Sequence, residues 1–491
     1  MSLKKTNYDY FKGKTILAYV APSDDPDVSG VLKKSPLNVK ATVFERALKK
    51  DHSSRSMNYS DQFDPDNSPV IIPDFLSSRK CDTSSPPCPV NFARAYESLI
   101  DDHMLWLIAE RAHFTFVSNH LRSAKLTTAI YSALQFLELE KPDCIFFGTT
   151  PHTAHSYILA KAAEVIGCEI FYLQQSIFPW RFYIFEGVHR SPCKCIPKPN
   201  LCLKMGNALA KTKEHRYFML KKSNVSVAMP KTEKNRIKRN GGKVYSLSKD
   251  LIRSWRRPDR LFNKYRCYQE YCKIAKRTPF LPKKYIVFFL HYQPERTTLP
   301  EGYGFTQQVA ALRLLECCLP PGVQIVVKEH PSTFSRFCSL KTRSPSFYRE
   351  IVSDRVQLAN PNADPYGLID CSLCVCTITG TVAGEAIFRG RPAINFGAGP
   401  LCQIQSKFLH TYESAATLKE FVADVCSNME DMSSSDEFEK IYHQVVRDTI
   451  VCPESELDLY SVDVARAYAD ARYEVYSALF LPSSGSTDIG K

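Results

Sequence analysis

The stretch Tyr285-Ile286-Val287-Phe288-Phe289-Leu290-His291-Tyr292-Gln293-Pro294-Glu295 decides the fold. Its first six residues form a continuous apolar run of strand length, which is typical of a strand buried on both faces of a parallel sheet. The run ends abruptly in polar residues. Because α/β proteins bind ligands at the carboxyl ends of parallel strands, Gln293 and Glu295 are candidate site residues.

The same pattern returns further along the chain. A second apolar run, Gln324–Val327, ends in the polar segment Lys328-Glu329-His330-Pro331. An amphipathic helix is predicted between the two strands, because apolar residues recur there at helical spacing: Phe305, Val309, Leu312, Leu315 and Leu319. Two solvated loops are the alternative interpretation of any single βαβ unit. Two successive strands nevertheless bring polar groups, including Lys328 and His330, to one predicted sheet edge.

A third apolar run, Cys371–Thr377, precedes the turn Thr379-Gly380-Thr381 and a predicted helix over 382–389. Glycine permits a tight turn, and the two threonine hydroxyls are predicted to cap the helix. Free backbone N–H groups at a helix start suit a phosphate, although most such turns serve only as caps. Glu385 lies one helical turn further on and is either a ribose ligand or a surface carboxylate.

The first half of the chain shows a similar order of elements. A strand is predicted over Lys14–Val20, a long irregular loop over 51–92, and a strand over Asp143–Phe147. The latter leads through a polar turn to His152, and the following predicted strand Glu169–Leu173 leads to Gln174. Both side chains are therefore candidate ligand-binding residues. A local capping role for His152 is the equal alternative.

These patterns predict an α/β protein with two Rossmann-like domains facing each other across a cleft. The predicted segments are an N-terminal Rossmann-like domain over 1–197, a basic linker or helical segment over 198–280, a C-terminal Rossmann-like domain over 281–460, a closing helix over 461–481 that packs back on the first domain, and a disordered tail over 482–491.

The positive charge is concentrated in one segment. The chain has a net charge of +13, but residues 198–280 alone carry 23 Lys and Arg against 5 Asp and Glu. Trp255, Tyr265, Tyr268 and Tyr271 lie among these cations. A solvated surface is the first interpretation, an anionic membrane surface the second, and nucleic acid the third.

The 18 cysteines show no framework spacing, which favours buried thiols in a reducing compartment. Cys374 and Cys376 share a strand face while Cys371 points away, so no metal site is predicted. No signal peptide and no apolar run of about 18 residues is evident. The expected location is therefore cytoplasmic, with peripheral membrane association as an addition.

The motifs together resemble the capsular polysaccharide biosynthesis proteins, including Kdo transferases of the KpsC/KpsS type. The resemblance rests on the segments 290–298, 327–332, 379–386 and 389–397, and it covers about 281–400. A His-Pro pair followed about fifty residues later by a hydroxyl-rich turn also resembles bacterial sialyltransferases and CDP-glycerol glycerophosphotransferases. The resemblance implies a GT-B glycosyltransferase that uses a CMP- or CDP-linked donor and no further cofactor. It also implies that 281–460 is the nucleotide-sugar-binding domain and that 1–197 is the acceptor-side domain, with His152 and Gln174 as acceptor-side candidates.

The resemblance also implies roles for residues. His330, a candidate catalytic residue, would lie near the donor phosphate. Thr379, Gly380 and Thr381 would hold that phosphate, and Gln293 and Lys328 are further donor-site candidates, Lys328 as an additional cation. Glu295 is the candidate acid/base or nucleophile, with an ion pair to Arg296 or a helix cap as its alternative. The acidic motif of the sialyltransferases is not visible in the first half, so inverting and retaining routes both stay open.

The predicted function is transfer of a sugar, such as acidic Kdo from a CMP donor, to a surface or capsular polysaccharide or its lipid-linked precursor. A glycerophosphotransferase and a nucleotide-sugar epimerase are the enzymatic alternatives. A non-catalytic glycan- or polyanion-binding protein is the alternative from another class, and nucleic acid is not an expected partner.

Overall fold

Two sheets organise the chain. The computed structural model divides it into a first unit, Met1–Leu203 with Val446–Lys491, and a second unit, Lys204–Val445, whereas the sequence patterns place boundaries after 197, 280 and 460. The structure describes residues 10–19, 35–44, 70–72, 92–112, 119–177, 181–188, 191–192, 258–278, 280–293, 295–334, 343–427, 435–451, 476 and 479–480. Most of the predicted basic segment, nearly all of the predicted closing helix and the predicted tail lie outside these residues.

The first sheet belongs to the first unit. Its strands are β1 (Thr15–Tyr19), β2 (Asn38–Phe44), β3 (Val70–Ile72), β4 (Cys144–Phe147), β5 (Glu169–Gln175), β6 (Arg181–Glu186), β7 (Ser191–Pro192) and β14 (Ile450–Val451). Their order is β14-β6-β5-β4-β1-β2-β3, with β7 on β6. The strands β1 to β5 pair in parallel, and β6 pairs antiparallel with each of its neighbours.

Helices of the first unit connect these strands: α1 (Phe92–Ile100), α2 (His103–Ala112), α3 (Asn119–Glu140) and α4 (Ala154–Val165). The start of α4 is set by a reciprocal capping box, in which Thr153 and Ser156 bond each other's backbone N–H groups. Tyr476 and Phe480 pack their rings on Phe146 of β4, so the end of the chain contributes to this core.

The second sheet belongs to the second unit. Its strands are β8 (Tyr285–Phe289), β9 (Gln324–Lys328), β10 (Val356–Leu358), β11 (Cys374–Thr377), β12 (Ala393–Asn395) and β13 (Leu409–Thr411). All neighbouring pairs are parallel, and the order is β10-β9-β8-β11-β12-β13. Numbered from β8, this order is 3-2-1-4-5-6, which is the strand order of Rossmann domains.

The helices of the second unit are α5 (Pro258–Ala275), α6 (Gln308–Cys318), α7 (Pro345–Ile351), α8 (Pro365–Asp370), α9 (Val382–Phe388), α10 (Ala415–Ser427) and α11 (Ser435–Asp448). Short 3-10 turns occur at Tyr303–Phe305 and Pro331–Phe334. Apolar residues of α5, α6 and α10 bury the sheet in one core, for example Tyr271, Leu312 and Val422.

The predicted α/β class with two Rossmann-like domains is confirmed by these two sheets. Several local predictions differ from the structure. The predicted irregular loop 51–92 contains the short strand β3, because Val70-Ile71-Ile72 adds an edge to β2. The strand predicted to begin at Cys371 starts at Cys374, since α8 occupies Pro365–Asp370.

Two absences hold for the described part of the chain. No helix there is long and apolar enough to cross a membrane. No group of three or more His, Cys, Asp or Glu side chains there is arranged as a metal site.

Candidate functional site

The switch point of the second sheet lies between β8 and β11. From this pair the chain proceeds outward in opposite directions, through β9 and β10 on one side and β12 and β13 on the other. Open α/β sheets bind ligands outside the carboxyl ends of the strands at such a point. The segments following β8, β9 and β11 are the three polar stretches singled out in the sequence. The fold therefore brings them to adjacent positions on one edge.

His291 lies at the centre of this edge and is buried. Its backbone N–H donates to Oε1 of Gln308 at 2.7 Å, and its carbonyl accepts from Nε2 of Gln308 at 3.0 Å. The Nη2 group of Arg343 donates to the same carbonyl at 2.9 Å. The first residue of α6 thus clamps the backbone where β8 ends, so the position of His291 is tied to the helix packed above it.

The imidazole of His291 joins β8 to β11. Its Nε2 accepts the backbone N–H of Thr379 at 3.3 Å and lies 3.0 Å from the hydroxyl of Thr377. Burial, followed by the charges of His330 and Arg343, lowers the pKa of His291 to about 3. The ring is therefore neutral at neutral pH. Since Nε2 accepts a hydrogen bond from a backbone N–H group, the proton of the neutral ring lies on Nδ1.

A hydrogen-bonded chain leads from this ring to Glu295. The Nδ1 atom of His291 lies 3.3 Å from Oγ1 of Thr297, which donates to Oε2 of Glu295 at 2.7 Å. The hydroxyl of Tyr292 donates to Oε1 of Glu295 at 2.8 Å. Glu295 is half-buried. Its carboxylate is therefore held at both oxygens while part of the side chain reaches solvent, as a reactive group requires.

His330 lies beside Glu295. Its ring centroid is 5.0 Å from the Tyr292 ring, whose hydroxyl holds Glu295, and its backbone N–H donates to Oε1 of Glu329 at 3.0 Å. The pKa of His330 is lowered from its ordinary value, chiefly by burial. The charges of Glu295 and Glu329 act in the opposite direction, and that of Lys328 lowers it further. The structure thus brings together the two residues predicted to be catalytic.

Behind this surface lies a buried ion pair. Nε of Arg343 is 2.9 Å from Oε2 of Glu329, and both side chains are 1% exposed. Glu329 also accepts hydrogen bonds from the hydroxyls of Tyr348 at 2.9 Å and Thr333 at 3.1 Å. Buried charges need such additional partners, because desolvation of each ion costs several kcal/mol. The pair fixes the loop that carries His330.

Two predicted donor ligands, Gln293 and Lys328, have partners within the protein. Gln293 donates through Nε2 to the carbonyl of Thr306 at 2.6 Å and accepts from Nη1 of Arg343 at 3.1 Å. The Nζ group of Lys328 donates to the carbonyls of Asn360 and Pro361, and burial lowers the pKa of Lys328 to about 8. Both side chains are buried and brace the loops of the edge.

The turn after β11 is built differently from the predicted cap. The hydroxyl of Thr379 donates to the carbonyl of Thr297 at 2.6 Å, and Thr381 at the N-cap makes no side-chain cap bond to α9. The capping prediction is therefore wrong, because Thr379 links β11 to the β8 loop. Thr381 is exposed and Gly380 half-buried. Glu385 is hydrogen-bonded to the Tyr366 hydroxyl, a partner on α8.

Glycines after β12 permit a close approach to this turn. A Cβ atom at Gly397 would lie 2.6 Å from Cγ2 of Thr379, and one at Gly399 would lie 2.6 Å from Cβ of Thr379. Side chains at these positions would displace the threonine. The loop after β12 therefore approaches Thr379 this closely only because Gly397 and Gly399 have no side chains.

The candidates in the first unit have local partners. His152 follows β4, is half-buried, and its Nδ1 lies 2.8 Å from the carbonyl of Thr150. Gln174 lies within β5 and is buried, because the strand extends two residues beyond its predicted end. The hydroxyls of Thr153 and Ser156 bond that of Tyr19 at the end of β1. β1 and β4 are the switch-point strands of this sheet.

Several residues of the network were not among the sequence-based candidates, and His291, Thr297, Thr377 and Arg343 are four of them. His291 and Thr297 lie in the polar segment after β8, and Thr377 is the last residue of β11, so their position at strand ends was a usable signal. Arg343 is 50 residues from Gln293 along the chain, and no local pattern distinguishes it from a surface arginine.

The low pKa of His291 leads to a prediction about acid stability. In the unfolded chain this pKa is about 6.5, so below that value the unfolded state takes up a proton that the folded state does not. Stability is therefore expected to fall as the pH falls from about 6.5 towards 3, by up to about 1.4 kcal/mol per pH unit from this group. Urea unfolding across this range measures the slope.

His291→Gln is the matched variant for this measurement. Its amide oxygen can accept the Thr379 N–H, and it does not titrate. The variant is expected to lose less stability on acidification than the wild type. Equal slopes in the two proteins would contradict the assignment of a neutral, buried His291.

Comparisons with known proteins give likenesses among solved structures alone. No family model matches the chain, and no curated protein matches it. The chain is similar to the β-Kdo 2,4-transferase KpsC of Thermosulfurimonas dismutans, at 14% identity, 61% coverage of this chain, 86% of the other and a TM-score of 0.28. It is also similar to the UDP-GlcNAc 2-epimerase of Methanocaldococcus jannaschii, at 10% identity, 88% coverage of this chain, 98% of the other and a TM-score of 0.24.

A third likeness is to the UDP-GlcNAc 2-epimerase of Neisseria meningitidis bound to UDP-GlcNAc, at 12% identity, 88% coverage of this chain, 99% of the other and a TM-score of 0.24. Likenesses at these values carry no argument about function. The strand order of the two sheets is what assigns the fold.

Proposed function

We propose that the chain is a nucleotide-sugar-dependent enzyme, and more specifically a glycosyltransferase, with its donor site at the switch point between β8 and β11. The observation that carries the proposal is the convergence of three polar strand ends on this one edge. Glu295, His330 and Thr381 come from three separate loops and all reach solvent there. The buried groups behind them, including His291 and Glu329, hold the loops in place.

This arrangement, with partly exposed reactive groups on a buried support, fits a group-transfer reaction. Chemistry on a bound substrate needs a few partly exposed reactive groups on a rigid support, because misplaced groups lose catalytic efficiency. The ion pair of Arg343 with Glu329 and the hydrogen bonds of His291 supply that support. Such a support is more than a solvated loop between strands requires.

The proposed roles follow from the side chains. His330 and the Thr381 hydroxyl donate hydrogen bonds to phosphate oxygens and so stabilise the negative charge that develops on the leaving phosphate. The bond between the anomeric carbon and the phosphate oxygen breaks, and its electron pair leaves with the nucleotide. Glu295 either takes the proton of the acceptor hydroxyl while that oxygen attacks the anomeric carbon, or it attacks the anomeric carbon itself as a nucleophile. In the second case the acceptor oxygen then displaces Glu295 from the anomeric carbon, and the acceptor proton passes to the released phosphate.

The finer assignment is a CMP-linked acidic sugar as donor and a surface glycan or its lipid-linked precursor as acceptor, reached from the cytoplasmic side of a membrane. It is supported by the resemblance of 281–400 to Kdo transferases. His152 and the turn before α4 are the proposed acceptor side, because they follow β4 at the switch point of the first sheet.

Calorimetric titration of CMP tests the donor site. His330→Ala and Thr381→Val are each expected to weaken binding by about 1–3 kcal/mol, the scale of hydrogen bonds to charged groups. The double variant is expected to lose less than the sum, because contacts to one shared phosphate are coupled. Strict additivity would place the two residues at separate sites.

Lys419→Gln is the control for this titration, since Lys419 is an exposed residue of α10. Unchanged CMP, CDP and UDP binding in both single variants would remove the donor-site assignment. Product analysis then separates the enzymatic alternatives: a transferase yields a glycosylated acceptor and free CMP or another nucleotide. An epimerase changes the sugar of the donor without any acceptor, and a glycerophosphotransferase yields a phosphodiester.

A further inference from the structure

Helix α5 has two chemically different faces. Its buried face packs on the core of the second unit through Cys267, Tyr271, Ile274 and Ala275. At about 100° per residue, the opposite side of the helix is made of other residues. These are Phe262, Tyr265, Arg266, Gln269 and Lys273, which together with Lys276, the first residue after the helix, we call the outer face.

The outer face exposes large aromatic side chains. Phe262 is 63% and Tyr265 62% exposed, and shortly after the helix Phe280 is 85% and Leu281 47% exposed. Single exposed apolar residues are common on protein surfaces. With Tyr268, which is 36% exposed, five large ones lie within twenty residues, two of them on the outer face, and this clustering indicates an interaction surface.

The charges of the outer face have one sign. Arg266, Lys273 and Lys276 are exposed cations, and the guanidinium of Arg266 lies 5.7 Å from the centroid of the Phe262 ring. Glu270 lies to the side of this face, where it pairs with Arg349 at 3.2 Å. The outer face therefore attracts anions and presents apolar rings in the same place.

We propose that the outer face of α5 binds an anionic lipid surface. Lys and Arg side chains attract anionic headgroups, aromatic rings settle at the level of the headgroups, and phenylalanine and leucine insert among the acyl chains. Single-stranded nucleic acid also combines cations with aromatic rings, and it binds through base stacking. A lipid surface accounts in addition for the exposed Leu281 next to the helix, which cannot stack on a base.

This inference does not depend on the proposed activity. It concerns a face of the second unit that none of the candidate site residues occupies. Lipid binding can therefore be measured on the full chain without substrate, and its failure would leave the donor-site proposal unaffected.

Vesicle co-sedimentation tests the inference. The full-length protein is expected to bind vesicles of phosphatidylcholine with phosphatidylglycerol and not those of phosphatidylcholine alone. The variant Arg266→Gln/Lys273→Gln/Lys276→Gln is expected to bind about 10²-fold more weakly, since each cation near an anionic surface contributes on the order of a factor of five. Phe262→Ser/Tyr265→Ser is expected to weaken binding about 10-fold or more.

Two controls match these variants. Leu139→Ser removes another exposed apolar residue, 72% exposed, which lies on α3, and Lys419→Gln removes an exposed cation on α10. Both are expected to bind like the wild type. Circular dichroism verifies that every variant is folded, as we expect because all of the substituted side chains are exposed.

Three results would overturn the proposal. The first is equal binding to both kinds of vesicle, and the second is vesicle binding that the Phe262→Ser/Tyr265→Ser variant leaves unchanged. The third is preferential binding of a single-stranded oligonucleotide that displaces the protein from vesicles and is lost in the same variants, which would assign the outer face to nucleic acid.

Discussion

Glu295→Gln is expected to lower the turnover number by about 10²-fold or more while leaving nucleotide affinity within about twofold, the usual result when an acid/base group is lost. The substitution keeps the size of the side chain and removes its charge. The amide oxygen of the glutamine can still accept a hydrogen bond from the hydroxyl of Tyr292 or from that of Thr297. A change in turnover therefore reports on chemistry rather than on the loop structure.

The reason for so large an effect is the position of this carboxylate. It is held by two hydroxyl donors, lies next to His330, and is half exposed at the switch point of the sheet. An acceptor hydroxyl placed there can transfer its proton to Glu295, or an anomeric carbon can be attacked by it. An uncharged amide performs neither step.

Steady-state kinetics with a CMP-linked donor, together with calorimetry of CMP, make the measurement. Glu420→Gln is the control, because Glu420 is an exposed carboxylate on α10. Near-normal turnover in Glu295→Gln would exclude it as the reactive group. Weaker CMP binding with unchanged turnover would instead assign it to the donor site.

Arg343→Met is expected to lower the free energy of unfolding by about 3–5 kcal/mol, the scale for leaving one partner of a buried ion pair uncompensated. The arginine is 1% exposed and bonds Glu329, Gln293 and the carbonyl of His291 at once. Its guanidinium also lies 4.3 Å from the centroid of the Phe347 ring. Methionine fills part of the volume and satisfies none of the polar partners.

Urea unfolding of the full chain measures this effect. Arg349→Met is the matched control, because the Arg349–Glu270 pair is 56% and 18% exposed and contributes about 0–1 kcal/mol. The double variant Arg343→Met/Glu329→Gln is expected to lose less than the sum of the two single variants, since it leaves no uncompensated charge. A loss below about 1 kcal/mol in Arg343→Met would contradict the structural role.

The sequence alone predicted the elements near the site well. Apolar runs of strand length that end in polar residues identified β8, β9 and β11, because burial on both faces of a parallel sheet demands such runs. Glu295 and His330 followed from their places at the ends of these runs. The short edge strands β3, β10 and β13 were not predicted, because three-residue segments carry too little periodicity.

What each candidate residue contacts was decided by tertiary structure. Sequence position puts Gln293, Glu295 and Lys328 alike at strand ends, but the fold directs only Glu295 to a partly exposed position and turns the other two to interior partners. The same applies to Thr379 and Thr381, which look equivalent in the turn. One bonds the carbonyl of Thr297 and the other is exposed.

The sequence by itself thus determined the two Rossmann-like units and the edge at which the site lies, since hydrophobic periodicity and turn residues are local properties of the chain. Only the tertiary structure decided the strand order 3-2-1-4-5-6, the neutral state of His291 and the pairing of Arg343 with Glu329. These features depend on contacts between segments that are far apart in sequence. Burial lowers the pKa of the His291 ring and makes a charged side chain need a partner, and it arises only when those segments pack together.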